Sequence, residues 1–186
     1  MPTSQTSRDE IIPTIVKVFR QYGYDGTTLG RLSEVTGLGR ASLYHHFPRG
    51  KKEMAAAVLN YMNDWLENSV LSPLRSGGTP HERLRDMSTN LNKFYSCGED
   101  ACLLAVLSLG ESRDIFNSQI RKALNVWIDS LAEVLVDAGF KPKCARHRAE
   151  DAIMQIQGAL VLARGLSDTK FFERVLQRLP EELLKA

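Results

Sequence analysis

The chain has 186 residues, 43% of them hydrophobic and 25% charged, with a formal net charge of +2; that is enough to bury a core without disulfides or metals, as one domain or as a small domain on a larger one. Residues 1–52 hold eight Lys and Arg against four Asp and Glu, while the remainder holds sixteen against eighteen, so a polyanionic partner suits the N-terminal quarter. Three cysteines without a Cys-x-x-Cys argue against a disulfide framework, and no apolar run approaches ~18 residues, so a reduced, cytoplasmic protein that spans no membrane is expected.

Helical periodicity is present nearly everywhere, and strand alternation is absent. About nine helices are expected. Residues 1–8 are polar and read as a short disordered arm without a signal-peptide core. A first helix is expected over residues 9–22, with Ile12, Ile15, Val16 and Phe19 as its apolar stripe and Gly23 as its end. The regular helix is expected to start only shortly before Pro13, or to kink there. The second helix opens at Thr28, a good N-cap, and stops at Gly37. A third, short helix covers 40–47 and is closed by Pro48. The fourth is long, 51–71, with Met54, Val58, Met62, Trp65 and Leu66 on its faces. Pro73 and Ser76-Gly77-Gly78 make a loop.

Thr79-Pro80-His81-Glu82 opens the fifth helix as a capping box with proline in the first turn. Its stripe is Leu84, Met87, Leu91, Phe94 and Tyr95, and Gly98 ends it. Residues 101–110 carry no charge, which suits a buried sixth helix. The seventh covers 113–138 and stops at Gly139, and the eighth covers 142–164. Asp168 caps the ninth, which carries Phe171, Phe172, Val175, Leu176 and Leu179. The fold class is all-α: a three-helix domain over residues 1–50 on a larger helical domain over 51–186.

The second and third helices, joined by Thr36-Gly37-Leu38-Gly39, have helix-turn-helix spacing with glycine at the turn. At 100° per residue, Leu43 and Phe47 of the third helix share the core side. Ala41, Ser42 and His45 take the opposite side. Small residues there admit the helix into a major groove, and Ser42 and His45 can hydrogen-bond base edges. Arg40 and Tyr44 flank that face and suit phosphate contacts. Thr28 and Lys51 stand at helix starts, where backbone N–H groups favour an anion. Each of these side chains taken alone also fits an ordinary surface or core position.

The run from Thr27-Thr28-Leu29 to Ala41-Ser42-Leu43-Tyr44-His45-His46-Phe47, with Phe19 and Tyr22-Gly23-Tyr24 before it, resembles the helix-turn-helix signature of the TetR family of repressors. Phe47-Pro48-Arg49-Gly50-Lys51 is similar to a subgroup with Phe-Pro-x-Gly-Lys at this point. The resemblance is specific over about residues 8–60. It implies a sequence-specific regulator that binds double-stranded, palindromic operator DNA as a homodimer. It also implies release by a small effector held in the C-terminal helices, here expected to be apolar or amphipathic.

Helix eight carries Ala152, Ile156, Ala159, Leu160 and Ala163 on one side, and with Phe172 of helix nine these are expected to form the dimer interface as an intermolecular four-helix bundle. The same stripes could pack on their own subunit. Met62, Trp65, Phe94, Tyr95, Phe116, Trp127, Met154 and Gln157 are the candidate effector-pocket residues, although a Met and aromatic set at helical spacing also makes a plain core. No cofactor is called for. Cys144 and His147 are two ligand types at helical spacing, too few for a metal site. No nucleophile–base pair, paired-carboxylate motif or phosphate loop appears, so an enzyme is not expected. Two further alternatives are a DNA-architectural protein without an effector and a redox-responsive regulator using Cys97 and Cys102. Nothing cationic adjoins those two thiols to lower their pKa.

Overall fold

The computed structural model describes residues 7–185. Ten α-helices, one π turn and one 3-10 turn are found among them, with no strand. The chain divides into two compact units, residues 7–63 with Leu103–Asn117, and Asp64–Cys102 with 118–185. The first unit therefore takes in more than the expected 1–50: three turns of the fourth helix and a later segment belong to it.

In the first unit, α1 (Arg8–Gly26) is opened by a capping box. The Glu10 N–H donates to Ser7 Oγ at 3.3 Å, and the Ser7 N–H donates to Glu10 Oε2 at 2.8 Å. Arg8 is thus helical and does not belong to an arm; the rest of the expected arm, residues 1–6, lies outside the described residues. Pro13 sits on an exposed face in mid-helix, and the only non-helical backbone in α1 is at Gly23 (φ 67°). The helix starts shortly before Pro13, at Arg8, and does not kink there, because the carbonyl that loses its partner, that of Asp9, lies on an exposed turn where water can serve it. α2 (Leu29–Thr36) follows Thr28, whose hydroxyl accepts from the Arg31 N–H at 3.3 Å. It ends at Gly37 in the left-handed region, φ 67°. α3 (Arg40–His46) follows Gly39, which offers no side-chain cap. Ile11, Ile15, Phe19, Leu32, Leu43, Phe47 and Met54 form this unit's core.

α4 (Lys51–Leu66) does not continue to residue 71 as a plain α-helix. It passes into a π turn (Glu67–Leu71) and then α5 (Ser72–Arg75). Within the π turn the Ser69 carbonyl accepts from Asn90 Nδ2 at 2.7 Å. The expected buried helix over 101–110 is only α7 (Leu103–Val106), because Gly110, with φ 58°, already opens α8 (Gly110–Asp137). Leu103, Leu104 and Leu107 are buried as expected, but Leu109 is 69% exposed.

The second unit also holds α6 (Pro80–Phe94), opened by the expected Thr79–Glu82 capping box, the 3-10 turn (Ser96–Gly98), α9 (Pro142–Gly165) and α10 (Lys170–Leu184). α10 packs on both α6 and α9. Gly98 lets the turn approach α10 closely: a Cβ there would lie 2.8 Å from Phe172 Cβ, and its φ is 111°. The N-cap of α10 is Thr169 rather than Asp168, although Asp168 Oδ1 accepts the Lys170 N–H at 3.0 Å.

Candidate nucleic-acid interface

On α3 the division of faces follows from two apolar anchors. Leu43 and the following Phe47 are 0% exposed, which fixes the helix roll. Arg40, Ala41, Ser42, Tyr44 and His45 are all exposed. The small residues and the histidine thus form one open surface, flanked by Arg40 and Tyr44. Thr28 is exposed at the start of α2. Lys51 is half-buried, with its Nζ 4.3 Å from the centroid of the Tyr24 ring. Burial, then the nearby Glu111 and Asp25 carboxylates, raises the Tyr24 pKa. The ring stays a neutral phenol whose face holds the ammonium. Lys51 is therefore tied to the scaffold by this contact.

Arg8, Glu53 and Gly50 also shape this surface, and none was among the candidate residues. Arg8 Nη1 donates to the His46 carbonyl at 3.3 Å and to Glu53 Oε1 at 3.0 Å, and its guanidinium lies 4.5 Å from the Phe47 ring centroid. Glu53 Oε2 accepts the Arg49 N–H at 2.9 Å. The end of α3 is held from both sides by one ion pair. Gly50, at φ 64°, turns the chain into α4, and a Cβ there would meet Tyr44 Cε1 at 3.3 Å. The glycine both permits the turn and seats the Tyr44 ring. The Ser7-x-x-Glu10 pattern announces the helix start that carries Arg8, but nothing local announces a partner 45 residues away.

A family model described as bacterial regulatory proteins, tetR family, matches residues 11–58. A second, described as transcriptional regulator LmrA/YxaF-like, C-terminal domain, matches residues 80–178, more than half of the chain. The chain belongs to the TetR family. As a TetR-family protein it is a DNA-binding transcriptional regulator. The HTH-type transcriptional regulator LmrA of Bacillus subtilis (strain 168) is 26% identical over 161 residues, 84% of this chain and 86% of that protein. The HTH-type transcriptional repressor KstR2 of Mycolicibacterium smegmatis is 25% identical over 143 residues, 73% and 68% respectively. A TetR transcriptional regulator from Legionella pneumophila shares the fold, with a TM-score of 0.79 at 23% identity over 98% of this chain and 99% of that one.

Of the eight effector-pocket candidates of this TetR-family chain, six belong to the second unit and two to the first. Trp65 stacks on Phe94 with ring centroids 3.5 Å apart, Phe94 meets Tyr95 edge-on at 4.9 Å, and Tyr95 meets Phe172 at 5.8 Å. Met62 and Phe116 belong to the first unit, where Met62 Sδ accepts from Arg20 Nη2 at 3.8 Å and Phe116 packs edge-on against Tyr24 at 6.0 Å. Met154 is 62% exposed and lines no interior; it stands on the outer face of α9. Trp127 and Gln157 each bury a side-chain nitrogen that has no hydrogen-bond partner in the protein.

The six residues expected at a dimer interface are enclosed by their own subunit. Ala152, Ile156, Ala159, Leu160, Ala163 and Phe172 are at most 5% exposed in the single chain, so a partner cannot reach them. Alanines permit close approach, and here they let α10 pack on α9 within one chain. The opposite side of α9 carries Met154, Val161 and Leu162, all large, apolar and exposed, and the exposed Leu166 follows the helix as its C-cap residue. Gly158, on the same side as Met154 and Val161, is exposed as well. Cys102 is buried, Cys97 half-buried and Cys144 exposed, and none is in a disulfide. Among the described residues no three His, Cys, Asp or Glu gather as metal ligands, and no helix is long and apolar enough to cross a membrane.

Proposed function

We propose that the protein is a cytoplasmic repressor that grips a palindromic operator as a homodimer and releases it when a small apolar or amphipathic effector enters the C-terminal domain. The observation that carries this reading is the open face of α3, Ala41, Ser42 and His45, set opposite the fully buried Leu43 and Phe47. A helix anchored so firmly on one side presents its other side as a rigid reader of base edges. The name of KstR2 as a repressor supports the sign of regulation. The Phe47-Pro48-Arg49-Gly50-Lys51 segment supports the Phe-Pro-x-Gly-Lys subgroup, since its glycine is needed for the turn.

The dimer is formed by the outer side of α9, through Met154, Val161 and Leu162, with Leu166 just past its end. A row of large exposed apolar side chains on one helix is a liability in a monomer and an asset in a two-fold interface. The effector is held among Trp65, Phe94 and Tyr95, with the unpartnered nitrogens of Trp127 and Gln157 as donors for its polar atoms. Two buried donors without acceptors are costly unless a ligand or water serves them.

The test is DNA binding by variants on an operator selected from random sequence. His45→Ala is expected to weaken specific binding by about 1–3 kcal/mol while leaving non-specific binding nearly unchanged. Lys51→Ala is expected to weaken both and to lower the salt slope by about one. Wild-type behaviour of both variants across salt would remove α3 and the start of α4 from the interface.

A further inference from the structure

Two histidines end α3, and they are not equivalent. His45 is exposed on the open face, while His46 is half-buried and gives its carbonyl to Arg8. Their rings meet edge-on, with centroids 5.5 Å apart and an interplanar angle of 75°. Among the described residues neither ring has an ion pair. The charged groups around α3 are cations or are already engaged. Arg40 is exposed at the start of α3 itself. From α1, Arg8 lies on the His46 carbonyl and on Glu53 of α4, and the other Glu53 oxygen takes the Arg49 N–H. Also from α4, Lys51 is on the Tyr24 ring and Lys52 is exposed. From α2, Arg31 donates to the Gly26 carbonyl and covers the Tyr22 ring, and Glu34 is exposed. The protein alone thus supplies no counter-charge to an imidazolium at His45. A DNA duplex laid against the open face supplies one.

Imidazole changes charge near pH 6.5, so a polyanion can add a proton to it under ordinary conditions. The two forms read different edges. Neutral imidazole has one donor and one acceptor, whereas imidazolium has two donors and no acceptor. In the major groove guanine offers the N7 and O6 acceptors and no donor, while adenine and cytosine each present an amino donor. Resting on the assignment of α3 as the base-reading helix, we propose that His45 reads a guanine as an imidazolium, donating to N7, and that each chain takes up one proton on binding its operator. The proton goes to His45 because its ring is the exposed one, and a second charge on His46 beside it would repel the first. Operator affinity therefore falls as pH rises, tenfold per pH unit for each linked proton between the free and bound titrations, and is level below them.

The experiment is fluorescence anisotropy of the full chain on an operator selected from random sequence, from about pH 6 to about pH 8 at fixed ionic strength. Calorimetry in buffers of different ionisation enthalpy counts the protons. About one proton per chain is expected on the operator, and clearly less on a duplex of random sequence. His45→Gln is expected to flatten the pH profile, and His46→Gln to keep it. Replacing the guanine whose selection depends on His45 by 7-deazaguanine, which lacks N7, is expected to weaken the wild type by about tenfold near pH 6 and His45→Gln hardly at all. A wild type indifferent to pH, a His45→Gln variant with the wild-type slope, or equal proton uptake on random duplex would each overturn the proposal. If His45→Gln binds the operator more weakly by the same factor at every pH, His45 still reads DNA and the proton alone is rejected. If it binds as tightly as wild type throughout, His45 leaves the interface and the proposal falls with it.

Discussion

Glu53 shows how one half-buried carboxylate can order a recognition surface. The Arg49 N–H holds the Glu53 carboxyl below its usual pKa against the opposing effect of burial, with smaller help from the Arg8 hydrogen bond and from the charges of Arg8 and Arg49. A depressed folded pKa means that the contribution is fully present above the unfolded value, about 4.3, and is lost as pH falls through the folded value. Glu53→Gln is therefore expected to unfold at lower urea than wild type at pH 7, with the gap closing as the pH drops below about 4. A gap of constant size from pH 7 to pH 3 would mean that the charge contributes nothing. The open face of α3 was legible because Leu43 and Phe47 lie at helical spacing and fix which side turns outward. The clamp behind it was not, because Arg8 and Glu53 meet only in the folded unit.

At the scale of elements, a helix with two apolar faces poses a choice that periodicity alone cannot make. α9 has an alanine-rich face and a side with Met154, Val161 and Leu162, and either could bury against a second copy. Small residues favour the closest packing, and in the fold α10 occupies that side. Substitutions on the two faces are expected to part cleanly. Val161→Asp should sediment as a monomer with its helical circular dichroism intact, since a 69% exposed side chain carries little of the subunit's own stability. Ile156→Ala should remain dimeric but lose about 2–5 kcal/mol of stability, the cost of a cavity in a packed core. A dimeric Val161→Asp at micromolar concentration would place the interface elsewhere. The break in the fourth helix was likewise hidden. Nothing at Glu67–Leu71 breaks a helix by composition, and the π turn is supported by Asn90, which lies 21 residues further on.

Across the whole molecule, a regulator needs its two units to influence each other, and the positions of its tryptophans make that measurable without knowing the effector. The chain has two tryptophans, Trp65 and Trp127, and both belong to the second unit. The unit that carries α1, α2 and α3 has none, so tryptophan emission, excited where tyrosine does not absorb, originates in the second unit alone. α4 and α8 each run from one unit into the other along the chain, and α4 carries Lys51 at its start and Trp65 near its end. If an effector disfavours the DNA-bound state, DNA must disfavour the effector-bound state by the same factor, about 5- to 150-fold for a coupling of 1–3 kcal/mol. Saturating the protein with its operator is therefore expected to change tryptophan emission, although no tryptophan is in the DNA-binding unit. Trp65→Phe and Trp127→Phe divide the signal, and a route along α4 requires that most of the change be lost with Trp65. Equal loss from both variants would point to a general rearrangement of the domain in place of the α4 route. Emission unmoved at full operator occupancy in the wild type would reject a conformational coupling that reaches either tryptophan.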